Sequence, residues 1–320
     1  MTALLGGSRA AVLAALRGRL ERAGIETASS EAETLLLHAL GISRATFWCE
    51  PGAILSTGEA AALESLAARR ELRVPLQQLI GSVGFHEITL CVESGVFIPR
   101  SETETLVGSV LEALGPAAAA SGGRLLDLGA GAGAISVALL AALPSWTGVA
   151  VDCSPLAIAL SDKNAALNGL GSRFQALQVD FIAAAAATAA AATPAAAAAA
   201  PGDTTPAAAA VWAAAPYDLL VSNPPYIPSG TLAALMPEVR DHDPREALDG
   251  GADGLDGYRA IACLLPTLLR REGLLALEIG EDQADAILSI MGPGLEAPRV
   301  RRDLAGRPRV VLGTWRGGVA

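Results

Sequence analysis

The chain has 320 residues, a length that suits a catalytic domain accompanied by a smaller one. Its formal net charge is −10 at pH 7, so its surface repels phosphate backbones over long range, and direct nucleic-acid binding is not expected. The N-terminal stretch reads as an amphipathic helix rather than a signal peptide, and no segment is apolar enough to span a membrane. We therefore expect a cytoplasmic monomer without a membrane partner.

The few cysteines and histidines show no metal-binding pattern. No two cysteines form a C-x-x-C motif, and no histidine lies near a cysteine at metal-ligand spacing. Neither a zinc site nor a disulfide framework is predicted, which suits a reducing compartment. These residues are Cys49, Cys91, Cys153, Cys263, His38, His86 and His242.

Residues 1–80 are predicted to form a small helical domain. Leucines recur at helical spacing, and Ser29–Ser30 followed by Glu31 and Glu33 indicates a helix start with carboxylates in its first turn. This stretch contains no glycine-rich loop. We interpret it as a substrate-recognition domain, with a packing extension of the catalytic domain as the alternative.

Residues 81–100 have the pattern of a β-hairpin. Apolar and polar side chains alternate from Phe85 to Val92, and the turn is predicted at Glu93–Gly95. We expect this hairpin to link the helical domain to the rest of the chain.

From residue 101 to residue 320, strand patterns alternate with helix patterns. This alternation predicts an α/β domain with a mostly parallel sheet and helices on both faces. The predicted strands are Arg124–Leu128, Thr147–Val151, Gln175–Val179, Tyr217–Val221 and Gly273–Ile279, and the predicted helices are Ala134–Ala142, Pro155–Asn168 and Arg259–Leu269.

One alanine-rich stretch, residues 183–215, interrupts the alternation. It contains 22 alanines and a single charge, Asp203. Alanine has the highest helix propensity, but the only large side chains are Val211 and Trp212, so little can anchor the stretch. We interpret it as a low-complexity surface insertion with weak order.

A glycine loop follows the first strand of the α/β domain and opens a helix. It reads Asp127-x-Gly129-x-Gly131-x-Gly133, and such a loop lets the backbone and a helix N-terminus approach a ligand closely. Dinucleotide sites use G-x-G-x-x-G instead, so this spacing and its preceding acid favour a ligand without phosphates, such as S-adenosylmethionine.

The next strand ends in Asp152, 19 residues beyond Gly133. A carboxylate at this strand end is placed to accept hydrogen bonds from both ribose hydroxyls of a nucleoside. The alternative is that Asp152 only caps the helix beginning at Pro155.

The sequence Asn223-Pro224-Pro225-Tyr226 follows an apolar strand. The prolines fix the backbone and remove two N–H donors, so the Asn223 amide oxygen and the Pro224 carbonyl can act as neighbouring acceptors. Two such acceptors match an NH2 group, and Tyr226 can lie flat against the planar group that carries it. The motif predicts methyl transfer to an amide or amine nitrogen; a rigid proline turn is the alternative.

The chain resembles the protein-(glutamine-N5) methyltransferases, most closely the bacterial enzymes that methylate peptide chain release factors. The resemblance covers nearly the whole chain and implies a class I, Rossmann-like methyltransferase core. The stretches 97–104 and 243–255 separate this family from DNA amino-methyltransferases. The stretches that carry it are 97–104 (FIPRSETE), 127–133, Val151–Asp152, 223–228 (NPPYIP) and 243–255 (DPREALDGGADGL).

The resemblance implies roles for individual residues. The cofactor would be bound by Gly129, Ala130, Gly131, Ala132, Gly133, Asp152, Phe181 and Asn223. Asn223, Pro224, Pro225 and Tyr226 would bind the substrate glutamine, and Asn223, Pro224 and Tyr226 would serve catalysis. That glutamine belongs to the Gly-Gly-Gln tip of a release factor, which the helical domain would grip elsewhere.

The sequence departs from the family pattern at three positions. Ser101 stands where the family usually has proline, Asp243 replaces a glutamate, and Phe181 stands where the family often has tryptophan. We expect Glu102 and Glu104 to open a helix with their carboxylates in its first turn; a general acid/base role or a cofactor-side loop is the alternative. We expect the basic run near the C-terminus to be a solvated face, and contact with ribosomal or tRNA-like charge is the secondary interpretation. The run comprises Arg299, Arg301, Arg302, Arg307 and Arg309.

Three other functions compete with release factor methylation. A ribosomal protein glutamine is one alternative substrate. An adenine-N6 nucleic-acid methyltransferase would need a basic groove, which the acidic composition disfavours. A binding module without activity would show a damaged glycine loop or a damaged Asn223–Tyr226 motif, and both are intact.

Overall fold

The structure is a computed structural model that describes residues 6–191 and 206–317. The chain divides into two units. The first ends at Ser82 and also includes Met236–His242, whereas the second contains Val83–Leu235 and continues from Asp243. None of the helices within the described ranges is both long and apolar enough to cross a bilayer.

The first unit is helical. Its helices bury leucines spaced three or four residues apart, and serine side chains cap three of the helix starts, with a full capping box at Ser56 and Glu59. The helices are α1 (Arg9–Arg22), α2 (Ala28–Leu40), α3 (Arg44–Cys49), α4 (Thr57–Glu71) and α5 (Leu76–Ile80). Their apolar faces form one core cluster that contains Leu16, Leu20, Leu35 and Leu63.

A buried ion network ties the segment Met236–His242 into this unit. The Arg70 guanidinium donates to Glu31 Oε2 at 2.5 Å and to Glu238 Oε1 at 2.9 Å, and Arg73 donates to Glu238 Oε2 at 2.8 Å. Burial raises the pKa of Glu238, but the hydrogen bonds from Arg73 and Arg70 outweigh it and leave the pKa lowered. The carboxylate is therefore the form that stabilises the fold.

The substitution Glu238→Gln is expected to destabilise the protein by about 1–2 kcal/mol at neutral pH, because it removes charge-assisted hydrogen bonds from two arginines. Since the folded pKa is lowered, this contribution is complete above the unfolded pKa of about 4.3 and is lost as pH falls through the folded value. Urea unfolding at several pH values measures it. The control is Glu21→Gln, whose exposed pair with Arg17 should contribute less than about 0.5 kcal/mol; equal losses in both variants would contradict the prediction.

The second unit begins with a hairpin whose turn differs from the predicted one. Its strands are β1 (Ser82–Phe85) and β2 (Ile88–Cys91), so the turn is at His86 and Glu87 instead of Glu93–Gly95. His86 has a φ of 51°, which a two-residue hairpin turn often requires. The prediction was wrong because Gly95 carries the stronger turn signal and a histidine at positive φ carries almost none.

A seven-stranded sheet forms the centre of the second unit, in the order β5-β4-β3-β6-β7-β9-β8. The first five strands of that order pair in parallel. Strand β9 runs antiparallel to both of its neighbours, β7 and β8. The strands are β3 (Gly123–Leu128), β4 (Trp146–Asp152), β5 (Phe174–Gln178), β6 (Tyr217–Ser222), β7 (Leu269–Glu278), β8 (Leu295–Arg302) and β9 (Pro308–Trp315).

Helices cover both faces of this sheet, which confirms the predicted α/β class. Side chains of β3 alternate between the two faces: Leu126 and Leu128 join one core cluster and Leu125 joins the other. The helices are α6 (Glu104–Ser121), α7 (Ala134–Ala142), α8 (Pro155–Leu167), α9 (Phe181–Ala191), α10 (Pro206–Ala214), α12 (Asp256–Leu268) and α13 (Ala284–Met291), and the short α11 (Pro237–Arg240) belongs to the first unit.

The alanine-rich stretch is not a loose surface insertion where the structure describes it. Residues 183–191 belong to α9 and residues 206–214 form α10, and Ala185, Ala208 and Val211 are buried in the core. The helix α9 packs against α12, which small side chains allow at close distance. The middle of the stretch, 192–205, lies outside the described residues.

Candidate active site

The predicted site residues lie at the carboxyl edge of the parallel strands. Leu128 is in register with Val151 on one side and with Ser222 on the other. The glycine loop after β3, Asp152 at the end of β4 and Asn223 after β6 are therefore neighbours at one edge. The strand order reverses beside β3, and such a switch point is where open α/β sheets bind ligands.

The glycine loop turns sharply and is held by backbone hydrogen bonds. Gly129, Gly131 and Gly133 have φ values of 74°, 56° and 77°, which residues with a Cβ rarely adopt. The N–H groups of Gly129 and Ala130 both donate to the Val151 carbonyl at 2.9 Å. A Cβ added at Gly131 would meet no atom within 4 Å, so the loop presents bare backbone to open space there.

Helix α8 and the end of β4 brace the same loop. The Gly131 N–H donates to Asp152 Oδ2 at 2.8 Å, and Ser161 Oγ donates to the Gly131 carbonyl at 2.8 Å. The buried Ala132 carbonyl accepts from Asn164 Nδ2 at 2.9 Å. Burial raises the pKa of Asp152.

The helix-capping alternative for Asp152 does not hold. The N-cap of α8 is Ser154, whose side chain accepts a hydrogen bond from the Ala157 N–H. Asp152 instead ties the loop to the strand end, because its Oδ1 accepts from the Ser154 N–H while its Oδ2 holds Gly131.

Asp127 lies fully buried beneath the loop. Its Oδ2 accepts from the Ser136 N–H at 3.2 Å, and its Oδ1 has no hydrogen-bond partner among the described residues. Burial raises the pKa of this carboxyl to about 7. A fully buried carboxyl group with one unpaired oxygen lowers the stability of the fold, and such a group is typical of a binding site for a cation.

The thermal stability of the protein without ligand is expected to fall between pH 6 and pH 8. With its pKa raised to about 7, the folded protein keeps a proton on Asp127 that the unfolded chain has already lost. The loss from this one residue is about 1 kcal/mol, or roughly 3 °C in Tm. Thermal unfolding of wild type and Asp127→Asn at both pH values measures it. The asparagine side chain of the variant cannot ionise, so the Tm of the variant should decrease less from pH 6 to pH 8 than that of wild type. Equal decreases in Tm would contradict the prediction.

Phe181 lies beside the glycine loop. Its ring carbon Cε1 is 3.5 Å from the position that a Cβ would take on Gly129, and the side chain is buried. The preceding Asp180 caps the start of α9 by accepting from the Ala183 N–H at 2.9 Å. A flat apolar face is thus present beside the loop at one of the positions predicted to bind the cofactor.

The 223–226 motif leaves the end of β6 and is held from one side by the 248–257 segment. The Ile227 N–H donates to the Leu248 carbonyl, and the Gly250 N–H donates to the Ile227 carbonyl. Gln283 Nε2 donates to the Tyr226 carbonyl at 3.0 Å. These bonds fix the backbone that follows the two prolines.

Glycines of the same segment let it pack directly on the motif. A Cβ on Gly250 would come within 2.7 Å of the Pro225 carbonyl oxygen, and one on Gly257 within 2.8 Å of Pro224 Cβ. No side chain other than hydrogen fits at these positions. Burial also raises the pKa of Tyr226 to about 12, so the ring is neutral at physiological pH.

An ion pair joins the first and last of the family-specific stretches. Arg100 pairs with the buried Asp243, and the Arg100 guanidinium also lies 5.1 Å from the centre of the Phe97 ring. The aspartate at 243 therefore keeps a carboxylate partner for Arg100 although the usual glutamate is absent. Glu104 begins α6, and Glu102 lies in the turn before it, as predicted.

Two polar residues beside Asn223, Thr103 and Glu278, were not predicted from the sequence, and neither was the burial of Arg309. Asn223 Nδ2 lies 3.5 Å from Thr103 Oγ1, and Glu278 ends β7 with only 2% of its surface exposed. Arg309, predicted to be solvated, is buried and donates to the Ile279 carbonyl at 3.3 Å. The one available signal is that Glu278 ends an apolar strand, as Asp152 does, while Asp127 is the residue before the end of its strand.

Two family models match consecutive parts of the chain. A model described as "PrmC N-terminal domain" matches residues 11–81, and one described as "Methyltransferase small domain" matches residues 87–192. Their junction falls close to the boundary between the two units.

No cluster of metal-binding side chains is found in the described part of the chain.

Two curated relatives match nearly the whole chain in sequence. The release factor glutamine methyltransferase of Rhodospirillum rubrum is 40% identical over 92% of this chain and 81% of its own length. The protein of the same name from Caulobacter vibrioides is 38% identical over 93% of both chains. Among solved structures, a 16S rRNA N2 methyltransferase from T. Thermophilus is 19% identical, covers 73% of this chain and 50% of its own, and has a TM-score of 0.48.

Proposed function

Because this chain belongs to the release factor glutamine methyltransferases, we propose that it methylates the N5 amide nitrogen of the Gly-Gly-Gln glutamine in a peptide chain release factor. The chain is an S-adenosylmethionine-dependent methyltransferase. The observation that best supports the proposal is the position of Asn223 and Pro224, which follow β6 directly beside the glycine loop that follows β3.

The residues at the strand ends fit S-adenosylmethionine. Bare backbone at Gly131 leaves room for a ligand, and the orphaned Asp127 Oδ1 is an acceptor near which a positive charge is favoured. When bound, the cofactor supplies a methyl group on a sulfonium. We assign its binding to Gly129, Ala130, Gly131, Ala132, Gly133, Asp152, Phe181 and Asn223.

The chain's own contribution to the chemistry is to orient the amide. An amide nitrogen is a weak nucleophile, so holding it in line with the methyl group, at about 3–3.5 Å, is a large part of the catalysis. The Asn223 Oδ1 and Pro224 carbonyl accept the two N–H hydrogens, and Tyr226 lies against the amide plane. Both acceptors favour the positive charge that develops on nitrogen as its bond to the methyl carbon forms and the bond between that carbon and sulfur breaks, with its electron pair left on sulfur. One of the two N–H hydrogens then leaves as a proton to solvent, which restores the neutral amide.

We propose that the helical unit binds the release factor at a surface away from its Gly-Gly-Gln tip. Its match to the "PrmC N-terminal domain" model supports this assignment. We further propose that the protein acts as a cytoplasmic monomer without contacts to nucleic acid. The net charge of −10 supports the last point.

A methylation assay tests the substrate. The protein is incubated with methyl-labelled S-adenosylmethionine and a purified release factor, in parallel with the same factor carrying Ala at the Gly-Gly-Gln glutamine. Label in the intact factor and none in the variant is expected. Label that persists in the variant would overturn the assignment, and transfer to a ribosomal protein or to adenine in DNA instead would favour the corresponding alternative.

A further inference from the structure

The acid at the end of β7 has no role in the chemistry described so far. Glu278 is almost wholly buried, yet a glutamate contributes nothing to an apolar core and costs free energy there. Ser222 on β6 pairs with Leu277 on β7, so Asn223 and Glu278 are the next residues of two adjacent parallel strands. Hydrogen bonding from Thr103 and Asn223 lowers the pKa of the Glu278 carboxyl against the effect of burial. Its backbone carbonyl accepts from the Tyr258 hydroxyl at 2.9 Å, and its Oε2 has no partner among the described residues. The carboxyl group therefore contacts the one residue whose orientation the reaction depends on.

The Asn223 amide has two chemically different ends. Methyl transfer as proposed requires its oxygen toward the substrate, whereas a turned amide would present a donor to a substrate NH2 and repel it. An ionised carboxylate is an acceptor only, so Glu278 can hold only the NH2 end of Asn223. Nδ2 also lies 3.5 Å from Thr103 Oγ1, so both neighbours lie at the same end of the amide.

We propose, on the basis of the proposed function, that Glu278 is a positioning residue whose carboxylate holds the NH2 end of Asn223 and so directs the Asn223 oxygen to the substrate nitrogen. Thr103 is the second anchor. Neither residue touches the reacting atoms in this proposal; both act through the orientation of Asn223.

Protonation of Glu278 should weaken this control. A neutral carboxyl carries an O–H donor, which can take the Asn223 oxygen and turn the amide the wrong way. Burial raises the pKa of Glu278 to about 7, opposed by hydrogen bonds from Thr103 and Asn223 and by the charge of Arg309. The other charged or titratable groups that face this site are Glu102, Tyr226, Tyr258 and Asp303, the last through its contact with Arg309.

The orientation can be followed without any substrate. The chain contains only three asparagines, Asn164, Asn168 and Asn223, so asparagine-selective 15N labelling gives three pairs of side-chain NH2 signals, and Asn223→Ala assigns one. In the full-length enzyme the Asn223 signals should shift with a midpoint near pH 7, and in Glu278→Gln they should not. An unshifted Asn223 signal in wild type, or the same titration in the variant, would overturn the proposal.

Kinetics at saturating S-adenosylmethionine supply the second readout. The wild-type kcat for release factor should rise about tenfold from pH 6 to pH 8, following ionisation of a group with a pKa of about 7. Glu278→Gln should lower kcat at pH 8 on the order of 10-fold and flatten this profile, with little change in cofactor Kd. Glu278→Asp, which keeps the charge, should restore the pH dependence.

Two more variants separate positioning from simple damage to the fold. Thr103→Val removes the hydroxyl at constant shape and should lower kcat, whereas Thr103→Ser should not. Tyr258→Phe removes a hydroxyl that donates to the Glu278 backbone and not to its carboxylate, so it should keep the wild-type pH profile. A flattened profile in Tyr258→Phe would assign the effect to the fold and overturn the proposal. If wild type fails to methylate the release factor, the proposed function fails, and the NMR titration still decides the role of Glu278.

Discussion

Asn223→Ala is expected to lower kcat by about 10²–10³-fold while the Kd for S-adenosylmethionine changes less than about threefold. The variant loses one of two acceptors that orient the amide nitrogen and stabilise its developing charge. Cofactor affinity should survive because most of the proposed cofactor contacts come from the loop after β3 and from Asp152, which Asn223 does not support.

Equilibrium dialysis with labelled cofactor and single-turnover methylation of a release factor separate the two quantities. Asn168→Ala at the C-cap of α8 is the matched control, because it makes the same chemical change at a half-buried position outside the site. It should keep the wild-type kcat. An Asn223→Ala enzyme with normal turnover, or one whose cofactor affinity falls as much as its turnover, would remove Asn223 from catalysis.

The parts of the site that could be predicted from the sequence are those whose signals are local. The loop Asp127–Gly133 and the motif Asn223–Tyr226 each combine a strand end, a special backbone and a polar side chain within a few residues. Parallel strands bring their carboxyl ends to one edge, so these motifs could be predicted to meet before their contacts were known.

The residues that support Asn223 could not be predicted in this way. Thr103, Glu278 and Arg309 come from three distant parts of the chain, and each belongs to a residue type that is usually exposed. Only the tertiary fold brings Thr103 and Glu278 to the Asn223 amide and places the charge of Arg309 near Glu278. The exposure of the alanine-rich stretch was predicted wrongly for a related reason. Alanine indicates a helix but does not indicate whether that helix is buried, and the burial of α9 and α10 depends on the elements packed against them.

Gly250→Ala is expected to lower kcat by about 10²-fold, although it changes no residue that touches the substrate. The added Cβ would lie 2.7 Å from the Pro225 carbonyl oxygen and 2.9 Å from both Tyr226 Cα and Gly254 Cα. All three neighbours are backbone atoms, so no side chain can rotate away and the motif itself must move. A displacement of several tenths of an ångström in the Pro224–Tyr226 backbone would misplace both the carbonyl acceptor and the tyrosine ring.

The matched control is Gly230→Ala, at a glycine of ordinary φ in the same connection, where an added Cβ would meet no atom within 4 Å. Both variants should bind S-adenosylmethionine as wild type does, because neither contacts the glycine loop, and only Gly250→Ala should lose turnover. Since the strain acts on the position of the motif, the loss should appear in kcat with cofactor Kd unchanged. Normal turnover in Gly250→Ala would mean that the motif tolerates displacement, and rigid placement of the amide acceptors by the 248–257 segment would then not be a source of catalysis.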